Sequence, residues 1–524
     1  TDGGKNGHYT EARAYDTQTY ADVMLNINKT FGDDWSLTAN VGASLNNIKT
    51  DELSYRGPIQ ENGLPNIFNV FDLDDTKKRA EKVGWHDQTQ SVFASVEVGW
   101  KQMLYLTATG RNDWASQIAG SPSKSFFYPS VGLSWVPSST WDLGNAFSYL
   151  KLRGSIASVG LPFPRFLTTP TYEYDATGKI WKDKTHYPIG DLKPERTITY
   201  EVGIDARLWK NISLSASWYS ADTKNQTFDP ALPPSSSYTT IYLQTGHVRN
   251  TGVELSLGYS NQWRDFGWSS NFTFSWNKNE IVDLASGALN PVTGQPLNLS
   301  ELDIKGLGKA KYILKQGGTL GDLYTTSDLK FNDNGYVEVD KAGNLLLTDE
   351  GEQIYLGSVF PSENLAWRND FRYKGINLGL LFTGRIGGIC YSATQANMDL
   401  YGVSEVSAAA RDAGGVLING REMVDAQKWY QAIGSQSGLP QYYTYSATNF
   451  RLQELSLGYT LPRKWFRNKM VLTVSFVGRN LWMIYCKAPF DPEAVASTGL
   501  SYQGIDYFMM PSLRSLGFNV KFEF

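Results

Sequence analysis

Apolar and polar residues alternate along much of this chain with a period of two, which is the pattern of a β-strand with one apolar and one polar face. Residues 197–208 follow the pattern without interruption. The apolar face of this segment carries Ile198, Val202, Ile204 and Leu208. Its polar face carries Glu201, Asp205 and Arg207. The alternation resumes at residue 212 after a short turn, so this stretch predicts a β-hairpin.

Fifteen segments with this alternation predict about fifteen antiparallel strands. They are centred on residues 16–30, 34–48, 87–101, 102–112, 126–136, 148–160, 197–210, 211–222, 247–261, 266–280, 364–374, 375–387, 448–461, 469–482 and 511–524. The predicted fold class is therefore all-β.

The connections between these segments alternate between short turns and long loops. Tight turns are predicted near residues 101, 210 and 374, and the longest loops are 49–86, 161–196, 281–363, 388–447 and 483–510. Outer-membrane barrels have this order, because their periplasmic turns are short and their extracellular loops are long. The sequence thus predicts one transmembrane antiparallel β-barrel domain, with the charges of 197–208 facing its lumen and the apolar residues facing lipid. Soluble all-β domains in tandem are the alternative, but such a fold does not require this order.

The aromatic content also favours a membrane setting, because the 524 residues include 30 Tyr, 25 Phe and 16 Trp. Many of these rings stand at predicted strand ends, where outer-membrane barrels carry aromatic girdles. Strands favour large rings in any setting, so single positions decide nothing. The mean hydropathy is −0.34, and no run approaches the roughly 20 apolar residues that a spanning helix needs. Strands are therefore expected to cross the bilayer.

Charge and reactive residues favour neither nucleic-acid binding nor catalysis. The net charge is −4 without a long basic block, so nucleic acid is not an expected partner. The four histidines are widely spaced, and Cys390 and Cys486 form no CxxC motif, so no metal site or cofactor is predicted. Both cysteines are interpreted as packing residues. The chain has no GxSxG motif and is predicted not to be an enzyme, with an outer-membrane serine hydrolase as the enzyme alternative.

Several motifs resemble those of one protein family. They are Asp191-Leu192-Lys193-Pro194-Glu195, Asn250-Thr251-Gly252-Val253-Glu254-Leu255, Asn449-Phe450-Arg451-Leu452-Gln453-Glu454, Gly478-Arg479-Asn480-Leu481-Trp482, Asp491-Pro492-Glu493 and Pro511-Ser512-Leu513-Arg514-Ser515. In this order they are similar to the barrel of SusC-like TonB-dependent transporters. The last segment ends on Phe524 and resembles the terminal signal that the outer-membrane insertion machinery reads.

The resemblance implies active import across the outer membrane of a Gram-negative cell. Family members have a plug inside the barrel, couple to the inner-membrane TonB complex, and work with a SusD-like surface lipoprotein. Their cargo is typically an oligosaccharide and in some cases a peptide. Neither the plug nor the TonB-contacting segment has a counterpart in this sequence, so we expect an amino-terminal part to supply them and to complete a barrel of about 22 strands. A passive porin is the remaining alternative.

Aromatic and acidic residues in two long loops are the candidate substrate contacts. Aromatic faces bind the C–H surface of a sugar, while carboxylates and amides hydrogen-bond its hydroxyl groups. Loop 161–196 offers Phe163, Phe166, Tyr172, Tyr174 and Trp181, and loop 483–510 offers Tyr485, Phe490, Asp491, Tyr502, Asp506 and Tyr507. The alternative is that these rings pack loop against loop or against the lipoprotein.

Overall fold

The predicted strands form one large sheet. A computed structural model describes residues 6–63, 67–168, 172–175, 180–183, 186–187, 192–228, 240–284, 299–349, 351–497, 499 and 502–524. All fifteen predicted segments are confirmed as strands, and they lie in the sheet in chain order. The strands are β1 (His8–Phe31), β2 (Trp35–Pro58), β3 (Arg79–Trp100), β4 (Leu104–Ala115), β5 (Phe126–Trp135), β6 (Phe147–Leu161), β7 (Glu195–Leu208), β8 (Ile212–Phe228), β9 (Leu243–Trp263), β10 (Phe266–Asp283), β11 (Glu363–Tyr373), β12 (Ile376–Ile386), β13 (Asn449–Thr460), β14 (Val471–Cys486) and β15 (Ser515–Glu523).

The first three strands extend well beyond their predicted ends. The β1–β2 register runs without a break from the Phe31–Trp35 pair to the His8–Pro58 pair, so the connection to β3 is 59–78 rather than 49–86. The extension is polar, with an Arg56–Glu81 contact of 3.5 Å across β2 and β3. Its backbone pairs as in any strand, but its side chains lack the apolar half of the alternation by which the sequence locates strands.

The tight turns lie where they are predicted, although their residues are unusual. Both central residues have positive φ at Lys101–Gln102 and at Trp209–Lys210, and so do Lys374 and Gly375. A two-residue turn of this kind matches the right-handed twist of the flanking strands, and Asn-Gly is its common sequence. Only one of these three pairs contains a glycine, so the strand pattern located these turns and turn chemistry did not.

The apolar face of β7 is partly exposed. Val202 is 55% exposed, whereas Ile198, Ile204 and Leu208 are half-buried and Ala206 is buried. Aromatic residues near the short turns contact one another, and the Trp35 and Trp100 ring centroids are 6.3 Å apart. The rings of Trp268 and Phe371 are nearly parallel at 6.1 Å. Among the described residues, no helix is long and apolar enough to cross a membrane.

The long connections contain secondary structure of their own. One four-stranded sheet consists of Glu301–Leu307, Ala310–Lys315, Asp322–Thr325 and Ile354–Ser358. A three-stranded sheet consists of Thr444–Ser446, Ile389–Ser392 and Ile505–Asp506. Strand pairs form between Val416–Ile418 and Glu422–Val424, between Tyr172–Asp175 and Ile180–Asp183, and between His186–Tyr187 and Thr240–Ile241. The α-helices are α1 (Ala393–Leu400), α2 (Glu405–Asp412) and α3 (Ala426–Ile433), and the 3₁₀ turns are Val70–Asp72, Ser116–Ile118, Pro137–Ser139, Gly144–Ala146, Pro440–Tyr443 and Arg463–Phe466.

Each α-helix begins at a side-chain cap. Ser392, Ser404 and Asp425 accept hydrogen bonds from the first-turn N–H groups of α1, α2 and α3. These caps satisfy backbone donors that a helix leaves unpaired. Helices of eight residues are marginal by themselves in water, so their stability must come from tertiary packing.

That packing is supplied by the long connections themselves. We use the term loop module for the described residues of 299–358, 388–447 and 505–506. Its core of buried apolar residues draws on all three of these ranges: Ala310, Tyr312, Leu323, Leu329, Leu345, Tyr391, Ala393, Ala396, Ile418, Val424, Tyr430, Ile433, Leu439, Tyr443 and Ile505. Connections as long as these need a partner or one another to bury their apolar residues. The structure shows that they bury much of this surface against one another.

The chain divides into two compact units by its contacts. The first comprises residues 1–133, 156–198 and 225–244, and the second comprises 134–155, 199–224 and 245–524. The loop module lies wholly within the second unit.

Candidate transport surface

In the second unit, the polar face of β6 to β8 carries a network of charges. The Arg153 guanidinium contacts the Glu201 carboxylate and lies 3.6 Å from Asp205. Ser215 donates a hydrogen bond to Asp205 at 2.7 Å. Gly203 stands between the two carboxylates, and a Cβ there would lie 2.8 Å from the guanidinium. The absence of a side chain at Gly203 therefore lets Arg153 reach both acids of β7.

A second network joins β11, β13 and β14. Arg368 donates to Asp370 at 2.9 Å and lies 3.5 Å from Glu454. Arg479 donates to the other oxygen of Glu454 at 3.2 Å. These groups are partly exposed, so each pair stabilises the fold only weakly. They still present donors and acceptors that a polar ligand or another protein segment can use.

A recess lies beside Arg153 in the second unit. Its volume is about 380 Å³, and its lining includes Ser215, Ser217, Glu254, Ser256, Thr273, Ser275 and Asn364. Its lining mixes these polar groups with the apolar residues Leu255, Phe274, Leu365 and Ala366. The hydroxyl, amide and carboxylate groups can exchange hydrogen bonds with a hydroxylated solute.

The first unit has its own charged group on β3 to β5. Arg111 donates to Asp113 at 2.7 Å and to Ser91 at 2.7 Å. The Tyr128 hydroxyl donates to the same Asp113 carboxylate. Polar side chains on neighbouring strands therefore satisfy one another here as well.

Three of the family-like motifs meet around one buried arginine in the second unit. Arg451, whose side chain is 4% exposed, donates to both carboxylate oxygens of Asp491, at 3.2 and 3.0 Å. It also donates to the Asn449 side chain at 3.1 Å and lies 3.1 Å from Glu493. Ser512 donates to Asp491. We call Arg451, Asn449, Asp491, Glu493 and Ser512 the arginine node.

The arginine node lowers the pKa of Asp491. Burial raises the pKa of this carboxyl, but hydrogen bonds from Arg451 and Ser512 outweigh burial, so the pKa lies below its ordinary value of 3.8. Asn480 adds a hydrogen bond to Ser512 at 2.9 Å. The node thus ties the start of the 487–510 connection, and the segment before β15, to strands β13 and β14.

The structure separates the predicted substrate contacts of loop 161–196. Phe163 is 2% exposed and packs with Ile118 and Leu192, so it is a core residue of the first unit. Phe166 and Trp181 are 54% and 68% exposed, which leaves their rings accessible. The backbones of Tyr172 and Tyr174 lie in a short hairpin, but their side chains lie outside the described residues.

The predicted contacts of loop 483–510 divide in the same way. Tyr485, Tyr502 and Tyr507 are exposed. Phe490 packs edge-on against Tyr445 at 5.7 Å. The two acids are tied into the protein rather than presented: Asp491 belongs to the arginine node, and the buried Asp506 accepts a hydrogen bond from Ser392 at 2.6 Å. Burying a carboxylate without a partner is costly, so each of these two acids is paired with groups of the protein.

Comparison with known proteins identifies the family. A family model described as "TonB dependent receptor-like, beta-barrel" matches residues 1–481. The chain belongs to the TonB-dependent receptor family. This membership places it in the outer membrane and bears out the resemblance seen in its motifs.

Individual relatives of this TonB-dependent receptor chain are distant. TonB-dependent receptor P3 of Formosa agariphila is 24% identical over 99% of the chain and 54% of that protein. TonB-dependent receptor SusC of Bacteroides thetaiotaomicron is 20% identical over 64% of the chain and 32% of that protein. The chain thus spans about half the length of the first of these relatives and about a third of the length of the second.

Solved structures support the same fold. The RagAB peptide importer in its "closed-closed" state has a TM-score of 0.73 with 19% identity, and the match covers 98% of this chain and 56% of that one. At this identity the likeness concerns the fold alone.

The sequence patterns did not predict the structural roles of two residues of this TonB-dependent receptor chain. Arg451 stood within a family-like motif, but a single arginine in a strand gives no sign of being buried. Tyr355 lies on a five-residue strand, Ile354–Ser358, inside a connection that was treated as one loop. Within the described residues, no group of three His, Cys, Asp or Glu side chains is arranged to hold a metal ion.

Proposed function

We propose that this chain forms the barrel wall and surface loops of a TonB-dependent importer that carries oligosaccharides across the outer membrane. Membership of the TonB-dependent receptor family is the observation that carries the proposal. The charged networks on the polar strand faces agree with it, because a wall that surrounds a plug or a polar solute needs paired charges and hydroxyl groups. A plug and a TonB-contacting segment, supplied by another part of the protein, would provide gating and energy coupling.

The oligosaccharide cargo is supported by the exposed rings and by the hydroxyl-rich recess. Phe166, Trp181, Tyr485, Tyr502 and Tyr507 keep accessible rings, and aromatic faces suit the C–H surface of a sugar. Peptide cargo is the second candidate, since the solved importer with a similar fold is described as a peptide importer. The fold serves either cargo, so the choice depends on binding measurements.

A SusD-like surface lipoprotein is the proposed partner of the long loops. The loop module buries its own core, yet Tyr401, Val403 and Val406 stay largely exposed near the start of α2. Exposed apolar residues that lie close together, as these three do in the sequence, are suited to contact with a second protein. The module would then be a preformed platform rather than a set of loops that order on binding.

Uptake by cells tests the import function. We expect labelled oligosaccharide to enter cells that express the protein from its own gene, and uptake to cease when TonB is depleted. Uptake that continues at the same rate without TonB would contradict active import and favour a passive pore.

Gentle purification tests the partners. The protein is solubilised from native outer membranes in mild detergent, and every polypeptide that remains bound is identified by mass spectrometry. We expect a surface lipoprotein and a plug-bearing segment, the latter either separate or joined to this chain. Recovery of a folded barrel with neither would refute the proposed assembly.

A further inference from the structure

The four-stranded sheet of the loop module has two unlike faces. Leu302, Tyr312, Leu314 and Leu323 point to one side and are buried. The register sets Tyr324 opposite Tyr355 and Glu301 opposite Lys315 on the other side. Since side chains alternate along a strand, this second face carries rings and charges. Tyr355 and Glu301 are exposed on it, whereas Ile313, Tyr324 and Asp322 are buried.

Tyr355 forms a fixed, accessible ring on that face. It is 55% exposed, and its centroid lies 5.2 Å from that of the mostly buried Tyr324. Its hydroxyl donates to Asp322 at 3.4 Å. Asp322 is held in turn by the N–H and hydroxyl of Thr319, at 2.9 and 2.6 Å. The ring is therefore supported from beneath and anchored at its edge, while part of it remains open.

Hydrogen-bonding groups lie on the same sheet face. Gln353 donates to Glu301 at 2.9 Å, and Lys315 lies 3.6 Å from Glu301. Lys311 lies 3.1 Å from Asp303. All of these side chains are partly exposed, so the carboxylates and the amide keep capacity for a further partner.

We propose that Tyr355, with Glu301 and Gln353, forms an oligosaccharide-binding subsite on the loop module. An exposed ring on a sheet face that also carries a carboxylate and an amide matches a sugar, whose C–H face packs on the ring while its hydroxyl groups bond the polar side chains. This inference rests on the proposed function, because it names a place where the cargo of the importer is held.

The local charges favour a neutral ligand over a cationic one. Lys315 pairs with Glu301, Lys311 pairs with Asp303, and the Lys315 ammonium lies 4.8 Å from the centroid of the Tyr324 ring. The cation sites beside the acids are thus already occupied by the protein. An arginine-rich or lysine-rich peptide would have to displace these lysines, whereas a sugar would not.

Three variants separate ring stacking from other effects. Tyr355→Ala removes the ring, and Tyr355→Phe keeps the ring but removes the hydrogen bond to Asp322. Tyr336→Ala is the control, because Tyr336 is another exposed tyrosine of the same module and lies outside the four-stranded sheet. The transporter is purified from native membranes with its bound polypeptides, and each variant is checked for normal membrane level and thermal transition.

Binding is measured by calorimetry with oligosaccharides released from starch, cellulose, xylan and fructan, and with a tryptic peptide digest. We expect one of the oligosaccharides to bind wild type, Tyr355→Phe and Tyr336→Ala alike, and to bind Tyr355→Ala about tenfold more weakly. Equal affinity for Tyr355→Ala would overturn the subsite. Binding of peptides alone, or of neither class, would overturn it as well.

Parallel uptake measurements distinguish failure of the subsite from failure of the proposed function. Uptake that requires TonB but is unchanged by Tyr355→Ala would refute the subsite and leave the import function intact. Uptake that does not require TonB would refute the import function itself.

Discussion

Replacing Arg451 by methionine should release the 487–497 segment from the barrel wall. Methionine keeps the length and apolar stem of the side chain but removes the charge. Asp491, 10% exposed, would then lose its cationic partner, whereas Glu493, 32% exposed, would keep Arg385 at 3.4 Å. Removing one partner of a buried ion pair leaves an uncompensated charge, which is why it destabilises far more than loss of a surface pair.

The magnitude follows from the two bonds to Asp491 and from the burial of the pair. Loss of one partner in a buried pair costs about 3–5 kcal/mol, and the partial exposure of Glu493 favours the lower end. A cost of about 3 kcal/mol corresponds to local opening that is about 10²-fold more frequent. Arg479→Met is the matched control, because that side chain is 67% exposed and pairs only with Glu454 in the described residues, so its loss should cost about 1 kcal/mol or less.

Hydrogen exchange followed by mass spectrometry measures the opening of residues 487–497 directly. We expect fast exchange there in Arg451→Met and near-normal exchange in Arg479→Met. The double variant Arg451→Met/Asp491→Asn should recover part of the loss, since it removes the stranded charge. If Arg451→Met exchanged no faster than the control, the assignment of the arginine node as an anchor would be wrong.

Three further predictions concern acid, a glycine and a thiol. Because the pKa of Asp491 is lowered in the folded protein, its contribution to stability is present above its ordinary value of 3.8 and lost as the pH falls through the folded value; the opening of 487–497, measured as exchange relative to the intrinsic amide rate at each pH, should therefore become more frequent in acid, and less so in Asp491→Asn. A Cβ at Gly252 would lie 2.7 Å from the Trp276 carbonyl oxygen, whereas one at Gly258 would meet only side chains. Gly252→Ala should therefore lower the free energy of unfolding more than Gly258→Ala does, by about 1–3 kcal/mol, and a lower temperature of thermal unfolding would report it. Burial raises the pKa of the Cys390 thiol to about 12, so an alkylating reagent at pH 8 should modify Cys390 only after the loop module unfolds; rapid labelling at Cys390 itself, rather than at the half-buried Cys486, would contradict its burial.

Features set by neighbouring residues were predicted from the sequence, whereas features that depend on contacts between distant segments were missed. Strands such as β7 and β8 were located because alternation is a local property that the backbone geometry imposes residue by residue. The ends of β2 and β3 were missed because their outer halves are polar on both faces, although their backbones still pair. The helices α1 to α3 were missed because they are short and depend on contacts with distant segments.

The candidate site shows the same limit. Phe163 and Trp181 are aromatic residues of one predicted loop, yet the first is buried against Leu192 and the second is exposed. Composition cannot separate two such residues, because burial depends on which distant segment arrives next to each. Asp491 looked like a ligand for substrate, and its role became clear only when Arg451, 40 residues away, was seen beside it.

The sequence by itself determined that this protein is a β-barrel chain of the TonB-dependent type, because a period of two and an ordered series of motifs can be read without knowing any contact. The tertiary structure alone decided how the long connections fold. The hydroxyl of Tyr312, for example, bonds the carbonyl of Gln503 across 191 residues, and no local pattern encodes such a pairing. Burial, charge pairing and ring exposure all depend on contacts of this kind, so only the folded chain distinguishes an anchor from an accessible side chain.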